Sequence, residues 1–354
     1  MDGTAAGPAG TDVQPVRGRR SLVLGSALGL AILLGLVAVV GPGAIIRPLA
    51  GAAPGYVGLA AVAGTGVLGC RHLAYRHLCR RTAASPVGAR FHLYLLVAGV
   101  PRWLLPFGYV GGPVINATYL QRGVGARFEP TAAALAVSEL LAIVTSGFVL
   151  GTGFLLVLVT GGTLPVGNVA LAGGTFVLLS VFAVVLFVFV GGKGVASLAR
   201  NVGPRIQALR AHSRIADAVA RVVERFVGLR LRRFAASLSA IAADRRTVAT
   251  VAIVNGLGWT FGVIALYVCA RAVGLPVPVG IAMVTVPLAA TAGMIPVPGG
   301  IGPTELAVAG LLVALAGAAP ATATATALLY RLSTVGVELL GGGLASAYVL
   351  ASAR

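Results

Sequence analysis

The chain is poor in charged residues, and above all in acidic ones. Only 10% of its 354 residues are charged, and nine of them are Asp or Glu. Soluble domains carry about a quarter charged residues, so this scarcity excludes an ordinary soluble fold. Hydrophobic residues make up 58% of the chain, and its mean hydropathy is +0.96. The composition therefore predicts an integral membrane protein.

Cysteine is also scarce, and its odd count of three gives no disulfide framework. Two of the three, Cys70 and Cys79, flank His72 and His77, which is a spacing to test for metal binding. If this stretch is helical, residues 70 and 77 share a face, while 72 and 79 lie about 200° round the helix from them. Four ligands cannot converge from one helix in that arrangement. We expect a basic, interfacial loop here, with no metal and no cofactor.

The net charge of +18 does not indicate a nucleic-acid partner, because the arginines lie between apolar runs rather than along one groove. Residues 1–20, 71–90, 193–246 and Arg354 together hold 21 of the 27 basic residues. Short positive loops stay on the cytoplasmic side of a membrane. We predict a multi-pass protein of the cell (inner or plasma) membrane with both termini in the cytoplasm.

Four regions follow from the order of apolar and basic stretches. Residues 1–20 are predicted to be a disordered cytoplasmic tail, 21–192 a first transmembrane half, 193–246 a basic cytoplasmic segment and 247–354 a second transmembrane half. Apolar residues recur at helical spacing in the basic segment. That pattern fits an amphipathic helix on an anionic leaflet and fits an ordinary packed cytoplasmic helix equally well.

Each transmembrane half contains an apolar hairpin that is broken in the middle, at 91–128 and at 279–319. The second break, Met294–Glu305, contains three prolines and three glycines, which cannot continue a helix. Lipid cannot satisfy the exposed backbone groups of such a break, so protein or a wet cavity must surround it. A spacing of 190 residues relates the following pairs: Pro106 and Pro296, Gly112 and Gly302, Pro113 and Pro303, Pro130 and Pro320.

In the predicted topology the two copies have opposite orientations in the membrane, as in many transporters. Their arms of roughly 15–17 residues are short for a span, which needs about 20. We therefore predict an all-α integral membrane protein with about six full spans and two broken, re-entrant helical hairpins in an inverted repeat. By hydropathy it has eight apolar segments.

Three carboxylates and one arginine stand out inside the apolar regions. Glu305 follows the second break and would lie on the first turn of the next helix, either as a functional carboxylate favoured by the helix dipole or as a simple cap. Arg331 needs a partner, which is Glu305, Glu338 or an anionic headgroup; residues 331 and 338 share a helical face. Glu139 is placed to face Arg331 across the inverted interface. Asn116 lines an inner mouth or belongs to a solvated hairpin end.

The predicted substrate-binding residues combine these polar groups with the two breaks, and no catalytic residue is predicted. They are Glu305, Arg331, Pro298, Gly299, Gly300, Gly302, Glu139, Glu338, Pro106, Gly112 and Asn116.

Two C-terminal motifs resemble a known family. Pro296-Val-Pro-Gly-Gly-Ile-Gly-Pro-Thr-Glu305 is similar to the "PGGxGxxE" segment of the lysylphosphatidylglycerol synthase transmembrane region, a flippase-like family, and Ala-Leu-Leu-Tyr330-Arg331-Leu is similar to its "LLYRL" helix. Asn255-Gly-Leu-Gly-Trp259 also fits. The resemblance covers roughly residues 20–350. The sequence departs from the family where Gly112 precedes Pro113, Glu139 precedes Leu140 and Thr304 precedes Glu305, so its site is less charged.

The resemblance implies an all-helical bundle with broken helices that moves a phospholipid or lipid-linked headgroup through a cavity at the membrane midplane. Its partners would be membrane lipids, either anionic phospholipid or polyprenyl-linked substrate, and a separate lipid-modifying enzyme is a further candidate. The 354 residues contain no aminoacyl-transferase domain, so we expect no enzymatic activity. Two alternatives stay open: a non-catalytic membrane partner of a lipid-modifying or glycosyl-transferring enzyme, and a proton-coupled transporter.

Overall fold

A computed structural model describes residues 16–105, 108–160, 240–241 and 243–352, and this part of the chain is helical and contains no strand. Residues 1–15 of the predicted tail and most of the basic segment 193–246 lie outside the described residues, as do residues 169–191 and Pro106. Residues 16–20, which we expected to be the end of a disordered tail, are helical. The helices before residue 160 are α1 Val16–Val40, α2 Pro42–Ala50, α3 Pro54–Arg81, α4 Ala89–Leu104, α5 Gly108–Val124 and α6 Phe128–Val159. Those after residue 243 are α7 Arg245–Ala272, α8 Val279–Ala292, α9 Pro303–Ala316, α10 Pro320–Arg331 and α11 Val337–Ser352.

The described helices confirm the all-α membrane architecture. Five segments are long and apolar enough to cross a bilayer: Pro54–Arg81, Phe128–Val159, Arg245–Ala272, Pro298–Ala316 and Pro320–Ser352. The pair Ala27–Val40 and Pro42–Ala50, bent by 86°, makes a sixth if it counts as one span. At 1.5 Å per residue, α3, α6 and α7 are about 42–48 Å long and exceed the ~30 Å hydrocarbon core.

Most of the basic loop that we predicted at 71–90 is helical. Residues 71–81 continue α3 and residues 89–90 begin α4, so only residues 82–88 of the predicted basic loop 71–90 lie outside a helix. Residues 71–80 contain neither Gly nor Pro, so no backbone signal stops the helix where the apolar run ends. The helical extension of α3 carries Arg71 and Tyr75 into the interior of the bundle.

Both predicted hairpins are interrupted. In the first, α4 and α5 are separated at 105–107; in the second, α8 and α9 are separated by a 3₁₀ turn at Pro298–Gly300. α4 and α8 have 16 and 14 residues, about 24 and 21 Å, which is short of a full span. Whether the hairpins are re-entrant, and whether they form an inverted repeat, stays a prediction.

The 190-residue spacing is only partly reflected in the local structure. Pro130 and Pro320 both lie at the start of a helix, in α6 and α10. Pro113 lies inside α5, whereas Pro303 is the first residue of α9, where a missing N–H costs nothing. The second break is therefore longer than the first.

Glycine conformations explain why the second break has its shape. Gly299, Gly300 and Gly302 have φ angles of 62°, 61° and 93°, a region that a residue with a Cβ adopts only at a cost. A Cβ at Gly299 would also lie 2.9 Å from the carbonyl oxygen of Trp103 in α4. The two breaks therefore contact each other in the middle of the bundle.

One turn of π-helix, Leu332–Gly336, joins α10 to α11. Residues 331 and 338 would lie within about 20° of each other round an uninterrupted α-helix. A π-turn inserts one extra residue and rotates the helix after it by about 100°. The expectation that Arg331 and Glu338 share a face is therefore wrong, and the two side chains point to different neighbours.

Candidate functional site

A cavity of about 200 Å³ lies where the two breaks meet the long helices. Its charged and aromatic lining comes from α3, α4, α6, α7, α10 and α11, and consists of Arg71, Tyr75, Arg102, Trp103, Glu139, Trp259, Tyr330, Arg331 and Glu338. Gly299 and Thr304 line it from the second break, and apolar residues of α8 such as Val286 and Ala289 complete the wall.

Arg331 is fixed by the second break through two hydrogen bonds. Its Nε donates to Glu305 Oε1 at 2.8 Å, and its Nη2 donates to the carbonyl oxygen of Gly299 at 2.6 Å. The other carboxylate oxygen, Glu305 Oε2, accepts the N–H of Gly302 at 2.6 Å. Glu305 is therefore both the cap of α9 and the ion partner of Arg331, and the two interpretations of its role from sequence are compatible.

Arg71 and Glu338 form a second pair, with Arg71 Nη2 2.5 Å from Glu338 Oε1. Glu338 is buried against α4, where a Cβ at Gly99 would lie 2.9 Å from its Oε1. Gly99 therefore provides the space that the carboxylate occupies. This pair links α11 to α3 beside α4.

Arg102 and Glu139 form a third pair, with Arg102 Nη2 3.3 Å from Glu139 Oε1. The hydroxyl of Tyr75 donates a short hydrogen bond to the same oxygen. Gly112 packs against this arginine, since a Cβ there would lie 3.0 Å from Arg102 Nε. Glu139 is thus held by α3 and α4 and does not pair with Arg331, contrary to the expectation from sequence.

The indole of Trp103 lies between two of these pairs. The Cζ atom of Arg331 is 5.4 Å from the ring centroid and that of Arg102 is 6.0 Å from it, both within cation–π range. Trp103 therefore connects the pair on the second break with the pair on α6. All three carboxylates that stand in the apolar regions have an arginine partner.

Two further hydrogen bonds join α7 to α6 at the edge of the cavity. Asn255 Nδ2 donates to the carbonyl oxygen of Ser138 at 2.9 Å, and Trp259 Nε1 donates to that of Ala142 at 2.8 Å. Gly258, between them on α7, also lines the cavity. The stretch Asn255–Trp259 of α7 therefore fixes the position of α6 next to Glu139.

Two of the ion pairs lie well away from the ends of the helices that carry them. Arg127 ties the start of α6 to the end of α3: its N–H donates to the carbonyl of Ala84 at 2.9 Å and its Nη2 to that of Ala83 at 2.8 Å. Arg71 is ten residues before the end of α3, and Glu139 is eleven residues after the start of α6. At 1.5 Å per residue, Arg71 lies about 15 Å and Glu139 about 16.5 Å along their helices from that end.

The structure divides the predicted site residues into three groups. Arg331, Glu139, Glu338 and Gly299 line the cavity. Glu305, Gly302 and Gly112 lie behind that lining and position its arginines. Pro298, Gly300 and the buried Asn116 are outside the lining, and Pro106 is outside the described residues.

Sequence reasoning missed Arg71, Tyr75, Arg102 and Trp103. Arg102 lies in an apolar run close to the first break, which is the same signal that identified Arg331, so it could have been found. Among the described residues no group of three or more His, Cys, Asp or Glu could hold a metal ion.

These features define a multi-pass α-helical membrane protein with a charged cavity where two helix breaks meet. A family model, the lysylphosphatidylglycerol synthase TM region, matches residues 24–342, and the chain belongs to this family. The family places the protein among membrane proteins with a lipid-related function. No curated protein and no solved structure matches the chain significantly.

Proposed function

We propose that the protein moves the headgroup of a phospholipid or lipid-linked molecule across the bilayer through the central cavity, without changing any covalent bond. The observation that carries the proposal is the set of three Arg–Glu pairs around one cavity. An ionisable side chain inside a membrane is costly and marks a pathway for polar groups. Family membership supports a lipid as the cargo.

The paired charges suit a cargo that arrives and leaves. When the cavity holds no headgroup, each arginine is satisfied by a carboxylate, which limits the cost of a charge away from water. A guanidinium has five donors, and Arg331 uses two of its nitrogens for Glu305 and Gly299. Its remaining donors can bind a phosphate while the hydrogen bonds to Glu305 and Gly299 stay in place.

We further propose the membrane placement predicted from sequence, with both termini on the cytoplasmic side of a cell membrane and the two hairpins inverted. Exposed arginines at one end of the bundle support this orientation: Arg76, Arg80, Arg81, Arg90, Arg122, Arg127, Arg245 and Arg246. The opposite ends of the described helices carry Arg47 and Arg271. Such asymmetry is typical of a positive cytoplasmic side.

Flipping in proteoliposomes tests the function. The protein is reconstituted with phospholipids that carry a fluorophore on an acyl chain, and a membrane-impermeant quencher reports headgroups that reach the outer leaflet. With the wild-type protein we expect the quenched fraction to exceed the fraction of labelled lipid in the outer leaflet. With Arg331→Lys we expect no quenching beyond that fraction, because a lysine cannot make both of the hydrogen bonds that the guanidinium makes to Glu305 and Gly299. The matched control is Arg271→Lys, since Arg271 is exposed and its guanidinium donates to the nearby hydroxyl of Tyr267.

A second variant separates loss of function from loss of fold. Ala142→Phe adds a ring to the cavity wall on α6 and leaves all three ion pairs intact. It should block flipping while the protein keeps its elution volume and thermal unfolding temperature. Wild-type flipping by both Arg331→Lys and Ala142→Phe would contradict the proposed function.

A further inference from the structure

The charges of the cavity balance, and this restricts its ligand. Among the described residues, the lining contains three arginines and two glutamates, and Glu305 behind Arg331 supplies the third carboxylate. The site is therefore formally neutral inside the helical bundle. A ligand with a net charge would leave that charge uncompensated in a medium of low dielectric, which is unfavourable.

We infer that the cavity takes a small zwitterionic phospholipid headgroup, in which a phosphate diester and an ammonium group balance each other. The inference rests on the proposed function and names its substrate class. Such a headgroup brings no net charge, and both of its charged groups find complementary side chains in the lining.

Exposure decides which side chains meet the two charged groups. The Glu139 side chain is 29% exposed, whereas those of Glu305 and Glu338 are 5% and 6% exposed. Both oxygens of Glu305 are already engaged, by Arg331 and by Gly302. Glu139 is therefore the carboxylate to which an ammonium group has access.

The phosphate has access to two of the arginines. The side chains of Arg71 and Arg331 are 20% and 13% exposed, against 4% for Arg102. The two arginines line the cavity from different helices, α3 and α10, so a phosphate between them would accept hydrogen bonds from both. Arg102 instead keeps Glu139 in position.

The volume of the cavity limits the ligand to a headgroup. About 200 Å³ is less than the roughly 300–1,000 Å³ of sites that enclose a drug-sized molecule. The acyl chains must stay in the bilayer while the headgroup is bound, and a headgroup of several sugars exceeds the available space. The aromatic side chains of Trp259 and Tyr330 also line the cavity, and aromatic rings attract an ammonium group.

The test compares phosphatidylethanolamine and phosphatidylglycerol with identical acyl chains in the same proteoliposomes. We expect phosphatidylethanolamine to move at least about tenfold faster, the factor that corresponds to 1.4 kcal/mol. Glu139→Gln gives the cavity one net positive charge, so the ratio of phosphatidylglycerol to phosphatidylethanolamine flipping should rise by about tenfold or more. Retained flipping of phosphatidylglycerol shows that this variant is folded, and Glu129→Gln, outside the cavity on the same helix, should leave the ratio unchanged.

The outcomes separate the two proposals. If neither lipid moves, the proposed function fails and the inference fails with it. If phosphatidylglycerol moves as fast as phosphatidylethanolamine, or if Glu139→Gln leaves the ratio unchanged, the inference is wrong and the function stands. Water-soluble glycerophosphoethanolamine carries the same charged groups without chains; its uptake without lipid flipping would overturn the lipid assignment.

Discussion

The pair formed by Arg331 and Glu305 should contribute measurably to stability, and a double-mutant cycle can isolate its contribution. Both side chains are largely buried, 13% and 5% exposed, and Nε and Oε1 are 2.8 Å apart. Two unit charges about 4 Å apart attract by about 4 kcal/mol at an effective dielectric constant of about 20. Removing one partner of a buried pair costs a similar amount, about 3–5 kcal/mol.

The substitutions follow from the hydrogen bonds. In Glu305→Gln one of the two carboxylate oxygens becomes an NH2 group, so either Gly302 or Arg331 faces a donor where it had an acceptor. In Arg331→Met the carboxylate of Glu305 keeps Gly302 and loses its counter-ion. In the double variant the glutamine oxygen serves Gly302 and no unpaired charge is left, so the double variant should be less destabilised than the sum of the singles by about 3 kcal/mol.

The free energy of unfolding is measured in mixed micelles for the wild type, both singles and the double. A matched control cycle combines Glu305→Gln with Arg71→Met, because Arg71 pairs with Glu338 instead. That cycle should be additive within about 0.5 kcal/mol. Additivity in the Arg331 cycle, or equal coupling in both cycles, would refute the assigned pairing.

Two further predictions concern packing around the cavity. Gly64→Ala should strongly destabilise the protein, because a Cβ there would lie 1.6 Å from the carbonyl oxygen of Ser333 in the π-turn. The control Gly69→Ala lies on the same helix with nothing within 4 Å of the added Cβ, and it should be neutral or stabilise the protein by up to about 1 kcal/mol. The unfolding temperatures of the two variants check this, and equal shifts would contradict the close contact. Trp259→Phe removes the 2.8 Å hydrogen bond to the carbonyl oxygen of Ala142 and should lower the free energy of unfolding by about 1–2 kcal/mol. The control is Phe148→Leu, at an exposed aromatic residue on α6. A loss no larger than that of the control would argue against the hydrogen bond.

The parts of the fold that the sequence predicts are those with local causes. The second break follows from three prolines and three glycines within twelve residues, and its glycines indeed have positive φ angles. The importance of Glu305 and Arg331 follows from the rarity of charge in apolar runs. Neither inference depends on how distant helices pack.

The parts that could not be predicted depend on packing or on small backbone changes. Hydropathy assigned Arg71 to a loop, because a basic residue at the end of an apolar run is more often outside the membrane. Its position inside is stabilised by Glu338, which comes from the other end of the chain. The π-turn at Leu332–Gly336 has no sequence signal as strong as Pro or Gly, yet it decides which partners Arg331 and Glu338 find.

This π-turn also constrains how the cavity can change shape. The continuous segment α10 to α11 holds Arg331 on the second break, through Glu305 and Gly299, and holds Glu338 on α3, through Arg71. If the second hairpin moved relative to α3, one of these pairs would have to separate or the π-turn would have to shift its register. A shift that restored regular α-helix would turn Glu338 by about 100°, toward the face of Arg331. Glu305 and Glu338 would then compete for the donors of Arg331, so the number of its N–H groups left for another acceptor would change with the position of the hairpin.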